Sequence, residues 1–249
     1  MTRRDITQRY KGSYWGILWA VINPLLMLVI YTFVFSVVFN ARWRPDEEMS
    51  KGEFAITLYA GLIAFNFFSE AINRSTGAIL QFPSYVKKVV FPLEILVVVI
   101  TGTALVNSLI NIGVFLVASL LLLGKISPMV IFLPLLYIPL ILLVLGGGWL
   151  LSSLGVYVRD IGQVVSVVTT VLFFMTPIFY PATAVPGRMQ LIMKINPLAM
   201  IVENFRDVLV WSQMFSLKEW AIWTILLAIL ALLGYVWFIN TKKGIADVL

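Results

Sequence analysis

"QFPSYVKKVVFPLE", residues 81–94, sets Lys87 and Lys88 side by side between Pro83 and Pro92, with a long apolar run on either side. The fold turns on whether those runs are the core of a soluble domain or a set of membrane spans. Composition answers this. The chain is 61% hydrophobic and only 12% charged over 249 residues, with a mean hydropathy of +0.98. Soluble domains average about 45–50% apolar and about 25% charged residues. The chain therefore reads as an all-α integral membrane protein, and the segment 81–94 as a short polar break between spans.

A spanning helix needs about 20 mostly apolar residues. Six segments qualify: Leu18–Phe39, Phe54–Asn73, Leu93–Leu123, Met129–Val158, Ile161–Tyr180 and Trp220–Ile239. The third is overlong, which predicts tilt or a partly interfacial end. The fourth contains Pro134, Pro139 and Gly146–Gly148, tolerable in lipid where neighbours satisfy the freed backbone groups.

Six spans put both termini on one side. That side carries ten basic residues, among them Arg3, Arg74, Lys87, Lys88, Arg159 and Lys242, against four acids. The other side carries eight basic residues against seven acids. Lysine and arginine near span ends mark the cytoplasm. Both termini, the 74–92 loop and the Arg159–Asp160 turn are thus expected there. The N-terminus does not read as a signal peptide, because its charges and aromatics run on too long before the apolar run.

Three segments do not span. Residues 1–19 combine Arg4, Arg9 and Lys11 with Tyr10, Tyr14 and Trp15. Ile6, Tyr10 and Tyr14 recur at i, i+4, i+8, and basic residues with Trp and Tyr describe an amphipathic helix lying in the interface. The alternative is a basic tail ending in an aromatic belt. The helix over 84–91 starts after Pro83 and stops before Pro92. It places Ser84, Lys87 and Lys88 on one side and Tyr85, Val86, Val89 and Val90 on the other. It is either a rigid docking surface or a pair of charges that only enforces topology. The outer segment Pro181–Glu219 contains "INPLAMIVENFRDVLVW" at 195–211. Asn196 caps a helix whose first residue is Pro197. Leu198, Ile201, Val202, Phe205, Val208 and Leu209 form its apolar stripe, with Glu203, Arg206 and Asp207 on the opposite face. It is too polar to span and is expected at the outer mouth, as a gate or as a cap on the bundle.

The chemistry that is missing is also informative. The chain has no cysteine and no histidine, so thiol chemistry, cysteine metal sites and the commonest general base are excluded. No GxxxxGK[ST] phosphate loop and no nucleophile–base pair is present. Ionisable residues are nearly absent inside the spans; Glu70, near the end of the second, is the exception, with Arg74 at i+4 as an ion-pair partner. Asn107 and Asn111 share a helical face and read as helix glue. Tyr31, Phe35 and Phe39 lie on one face of the first span, and Phe173 and Phe174 in the fifth. Such rings can stack on sugars, or simply pack and anchor. If the chain transports, its energy comes from another subunit.

The order of these parts resembles the permease subunit of type-2 ABC exporters. "RYKGSYWGILWAVINPLLMLVIYTFVFSVVF" at 9–39 and "YVKKVVFPLEILVV" at 85–98 resemble the polysaccharide branch in particular. "VYVRDIGQVV" at 156–165, "PIFYP" at 177–181 and "INPLAMIVENFRDVLV" at 195–210 are shared more widely. The resemblance implies one transmembrane permease domain over 1–249, without a catalytic site, acting as a homodimer in the bacterial inner membrane. Two cytoplasmic ATPase subunits would bind ATP and Mg, and the cargo would be a lipid-linked polysaccharide such as O-antigen. It makes Ser84, Tyr85, Lys87, Lys88, Arg159 and Asp160 ATPase-coupling residues and residues 188–211 a periplasmic gate. Export of capsule or teichoic acid, of small amphiphiles or drugs, and an ion-coupled carrier built on Glu70 are the alternatives.

Overall fold

The computed structural model describes residues 2, 5, 16–38, 43, 49–80, 92–158 and 160–248. The interfacial residues Arg4, Arg9, Tyr10, Lys11, Tyr14 and Trp15 lie outside that set. So do Ser84, Tyr85, Lys87, Lys88, Arg159 and Phe39. Among the described residues the chain is all-helical. The α-helices are α1 (Trp19–Thr32), α2 (Lys51–Ser75), α3 (Glu94–Leu123), α4 (Leu133–Tyr157), α5 (Ile161–Met175), α6 (Gly187–Ile195), α7 (Pro197–Arg206) and α8 (Leu217–Val248).

Four helices are long and apolar enough to cross a membrane: Lys51–Ser75, Glu94–Leu123, Pro128–Tyr157 and Leu217–Lys242. Trp19–Phe35 and Ile161–Met175 are shorter apolar helices, and a six-span count rests on including both. The fifth helix ends at Met175, not at Tyr180. Pro177 is the cause: the residue before a proline is driven out of the helical region, and Thr176 is extended at φ −87°, ψ 138°. The last helix outruns its expected limits at both ends, from Leu217 to Val248.

Helix α2 is the core. Ser50 caps it, its hydroxyl accepting from the Glu53 amide at 3.1 Å. From Phe54 to Phe65 every residue is buried. Helix α3 runs 30 residues, about 45 Å at about 1.5 Å per residue, longer than a hydrocarbon core of about 30 Å. It stops where Gly124 takes the left-handed conformation, φ 66°.

Between helices in lipid, close packing replaces the hydrophobic drive, so small residues sit at the seams. Helices α4 and α8 meet at Gly146 and Gly234. A Cβ on Gly146 would stand 2.9 Å from the Ala231 Cα, and one on Gly234 would fall on the Gly146 carbonyl oxygen.

Polar contacts gather at the two ends of the bundle. At one end Lys242 pairs with Glu94 at 2.8 Å and Arg74 with Asp5 at 2.7 Å. At the other, the Ser127 hydroxyl donates to the Val208 carbonyl, and the Trp220 indole to the Leu135 carbonyl at 3.1 Å. The paired residues at the first end are those the charge count assigned to one side of the membrane.

Candidate functional site

The outer segment forms as its sequence predicts. The Asn196 carboxamide oxygen accepts from the Leu198 amide at 3.0 Å, and Pro197 opens α7. The stripe Leu198, Ile201, Val202, Phe205, Val208 and Leu209 is buried throughout. After Arg206 the helix widens into a π-turn, Asp207–Trp211, which ends at Ser212 in the left-handed region, φ 53°.

Arg206 departs from expectation. The sequence puts it on the polar face opposite the apolar stripe, yet it is 0% exposed. The break at Pro177 explains this, because it frees backbone carbonyls that need donors. The guanidinium donates Nη1 to the Pro177 carbonyl and Nη2 to the Ile178 carbonyl at 2.8 Å. Its Nε reaches the Thr57 carbonyl on α2 at 3.2 Å, and Nη1 also meets Glu203 Oε1 at 2.9 Å. The Trp43 ring lies 4.2 Å from the guanidinium carbon, a cation–π contact. One side chain therefore ties α7, α2 and the turn after α5 together. A Cβ on Gly61 would come within 2.7 Å of Arg206 Nη2, so Gly61 makes the room.

Burial pulls Arg206 down to about 10, while Glu203 and Asp207 hold it up; it stays charged at neutral pH. Burial raises the Glu203 carboxyl, Asp207 pushing the same way and Arg206 pulling back. Burial raises Asp207 as well, against the pull of Arg206. Glu203 and Asp207 line an open cavity of about 640 Å³ with Lys194, Asn204 and Glu219. The expected gate residues Asn196, Pro197, Glu203, Arg206 and Asp207 thus form one compact unit, with Arg206 as its internal tie. The Asn196 amide also donates to the Thr176 hydroxyl at 3.2 Å, a second strap to the same break.

The expected channel aromatics converge on Phe179, just past that break. Phe35 stacks on Phe179 at 4.5 Å between centroids, and Tyr31 meets it edge-on at 5.2 Å. Phe173 lies 5.0 Å from Phe179. Phe174 turns outward, 59% exposed. The cluster joins α1 to α5, whose remaining surface is largely exposed; only Val165 and Thr169 are buried on α5. Of the coupling residues only Asp160 is described, at the start of α5, where its carbonyl accepts from the Gln163 amide at 3.0 Å.

The expected Glu70–Arg74 ion pair forms, but each partner has a closer contact. Its closest approach is 3.8 Å. Arg74 binds both Asp5 oxygens, at 2.9 and 2.7 Å, and Asn107 donates to both Glu70 oxygens, at 2.9 and 3.1 Å. Asn107 and Asn111 do join helices: the Tyr59 hydroxyl on α2 donates to Asn111 Oδ1 at 3.1 Å. No group of three or more metal-binding side chains occurs among the described residues.

Comparison with known proteins places the chain in a family. Residues 1–210 match the family described as ABC-2 type transporter. Over 252 residues the chain is 27% identical to an O-antigen export system permease protein RfbA of Klebsiella pneumoniae, covering 100% of this chain and 93% of that one. The RfbA of Myxococcus xanthus is 25% identical over 210 residues, 84% of this chain and 78% of its own. The polysialic acid transport protein KpsM of Escherichia coli is 27% identical over 240 residues, 93% of this chain and 89% of its own. The chain belongs to the ABC-2 type transporter family, and it is a multi-pass membrane protein.

Proposed function

We propose that this ABC-2 family chain is the membrane-spanning subunit of an exporter that moves polysaccharide across the bacterial inner membrane, driven by a separate ATPase. The observation that carries this reading is likeness along nearly the whole chain to permeases named for O-antigen and polysialic acid transport. O-antigen is the favoured cargo, attached to a lipid carrier, with capsule or teichoic acid polymers as alternatives.

Six spans are completed by α1 and α5, with both termini in the cytoplasm. The exposed apolar face of α5, including Val164, Val167, Val171 and Phe174, suits a second copy across a shared channel. Tyr31, Phe35, Phe173 and Phe174, with Phe39, then edge a path along which sugar rings slide over aromatic faces. Two ATPase subunits bind ATP and Mg, and their closure pushes on the segment holding Ser84, Tyr85, Lys87 and Lys88. The Arg159–Asp160 turn makes a smaller contact at the head of α5. The thrust passes along α5 to the Pro177 break, where Arg206 couples it to α7. The segment 188–211, resting at the outer mouth, is the gate, and residues 1–19 lie along the inner interface.

Deleting the gene tests the reading. Surface polysaccharide should disappear while lipid-linked polymer accumulates inside. Wild-type chain should restore export, and the double variant Lys87→Glu, Lys88→Glu should not, although it reaches the membrane. Normal surface polymer in the deletion strain would sink the proposal.

A further inference from the structure

Helix α2 carries a second pattern. From Phe54 to Ser75 its only positions that are not buried are Asn66, Ser69, Glu70, Asn73 and Arg74. They recur at i, i+3, i+4, i+7 and i+8, one helical face, and all five are polar. All five line a cavity of about 440 Å³ between α1, α2 and α3, well away from the outer gate. Helix α3 contributes Asn107 and Asn111, and α1 contributes Trp19, Asn23 and Pro24. Polar residues at this density inside spans are costly and mark pathways or sites.

We propose that this cavity is a binding site for the sugar units of the cargo, taking a neutral polyhydroxylated ring rather than a phosphate. The proposal rests on the exporter reading above. Carboxamides offer a donor and an acceptor on one planar group, which is what vicinal hydroxyls need. Asn66, in mid-helix, is exposed to the cavity, and so is Asn23 opposite. Trp19, 38% exposed, supplies an apolar face for a ring to stack on.

Two lining groups are left short of partners among the described residues. Asn107, 8% exposed, has a carboxamide oxygen without a hydrogen bond, and Arg74 Nη1 has none either, its nearest carboxylate standing 3.8 Å away on Glu70. One needs a donor and the other an acceptor; a hydroxyl is both. Charge argues against phosphate. Among the described lining residues the one cation, Arg74, is already bound through Nη2 to both oxygens of Asp5, with Glu70 3.8 Å away. Asp5 already holds the exposed edge of that guanidinium, which leaves an incoming anion to compete with a bound carboxylate. The cavity size lies within the range of small-molecule sites, about 300–1,000 Å³.

The test places photoreactive benzoylphenylalanine at position 66, in cells making the whole exporter. Position 23, on the facing helix, is used in parallel in case the probe at 66 lowers the amount of chain in the membrane. Position 174 serves as a channel marker and position 121, where Leu121 is 78% exposed, as a lipid-facing control. After irradiation the purified chain is stained for saccharide and its adducts are weighed. The proposal expects saccharide adducts at 66 or 23 several-fold above those at 121. Saccharide at 174 alone would overturn the cavity site and leave the exporter standing. Phospholipid as the only adduct at 66 and 23 would likewise overturn it. No saccharide at any position, in cells that still display surface polymer, would overturn both.

Discussion

Two arginines, one near each end of the bundle, are handled in opposite ways. Arg206 is fully buried, and its guanidinium meets three carbonyls, one carboxylate and one aromatic face. Arg74, its side chain 26% exposed, holds Asp5, leaves one nitrogen without a hydrogen bond and borders a cavity. Both touch α2, Arg74 as a member and Arg206 through the Thr57 carbonyl. A charge enclosed by fixed acceptors acts as a rivet, because moving it strands every partner at once. A charge at the edge of an open polar space can exchange partners at little cost. The end that holds Arg206 is locked as a unit, and the end that holds Arg74 borders open polar space.

The largest expected effect comes from removing the rivet. Arg206→Met leaves Glu203 and the carbonyls after Pro177 without their donor. Breaking a buried pair by removing one partner costs about 3–5 kcal/mol. The amount of folded chain in the membrane should collapse, as read by detergent extraction and size-exclusion chromatography. A variant that accumulates normally would mean that water substitutes for the guanidinium.

Arg74→Gln should behave differently. A partly exposed pair is worth about 0–1 kcal/mol, so folding and abundance should hold while export falls. An equal loss of folding in both variants would erase the contrast. Smaller still is the double variant Tyr31→Ala, Phe35→Ala. It removes rings that pack on Phe179 at the margin of the proposed path, and export should slow while some assembled chain persists. Unchanged export would return those rings to a packing role.

The smallest effect is in pH. Glu203 and Asp207 are raised by burial. Between the ordinary carboxylate range and their raised values the folded chain therefore holds more protons than the unfolded chain. Stability should fall as pH rises through that window and level off above it. Melting temperatures from about pH 4 to about pH 8 should show the slope, and Glu203→Gln should flatten it. The opposite slope would mean that Arg206 outweighs burial at these carboxyls.

The sequence made some of these features legible and hid others. The α7 stripe and the Asn196–Pro197 start could be read because every signal lies within sixteen residues. The burial of Arg206 could not. Glu203, Arg206 and Asp207 imitate a solvated face, and the acceptors that draw Arg206 inward sit at Thr57, Pro177 and Ile178. Pro177 did announce the end of α5, but the aromatic run to Tyr180 masked it by remaining apolar. Asn66, Ser69, Glu70, Asn73 and Arg74 were visible at helical spacing. Only Glu70 and Arg74 stood out, as a local ion pair, because Asp5, Asn23 and Asn107, which give the stripe its meaning, come from distant segments. Hydropathy identified the apolar helices, yet α2 is buried along most of its length while α5 buries two residues. That difference depends on neighbours.

The central claim is that this chain is a channel subunit whose energy comes from a partner. Gentle purification from the native membrane, followed by mass spectrometry of what accompanies the chain, tests it most directly. The account predicts two ATPase subunits for every two copies of this chain. It also predicts loss of that ATPase in the Lys87→Glu, Lys88→Glu variant. Recovery of the chain without any ATPase, under conditions that keep known transporter complexes intact, would contradict the account.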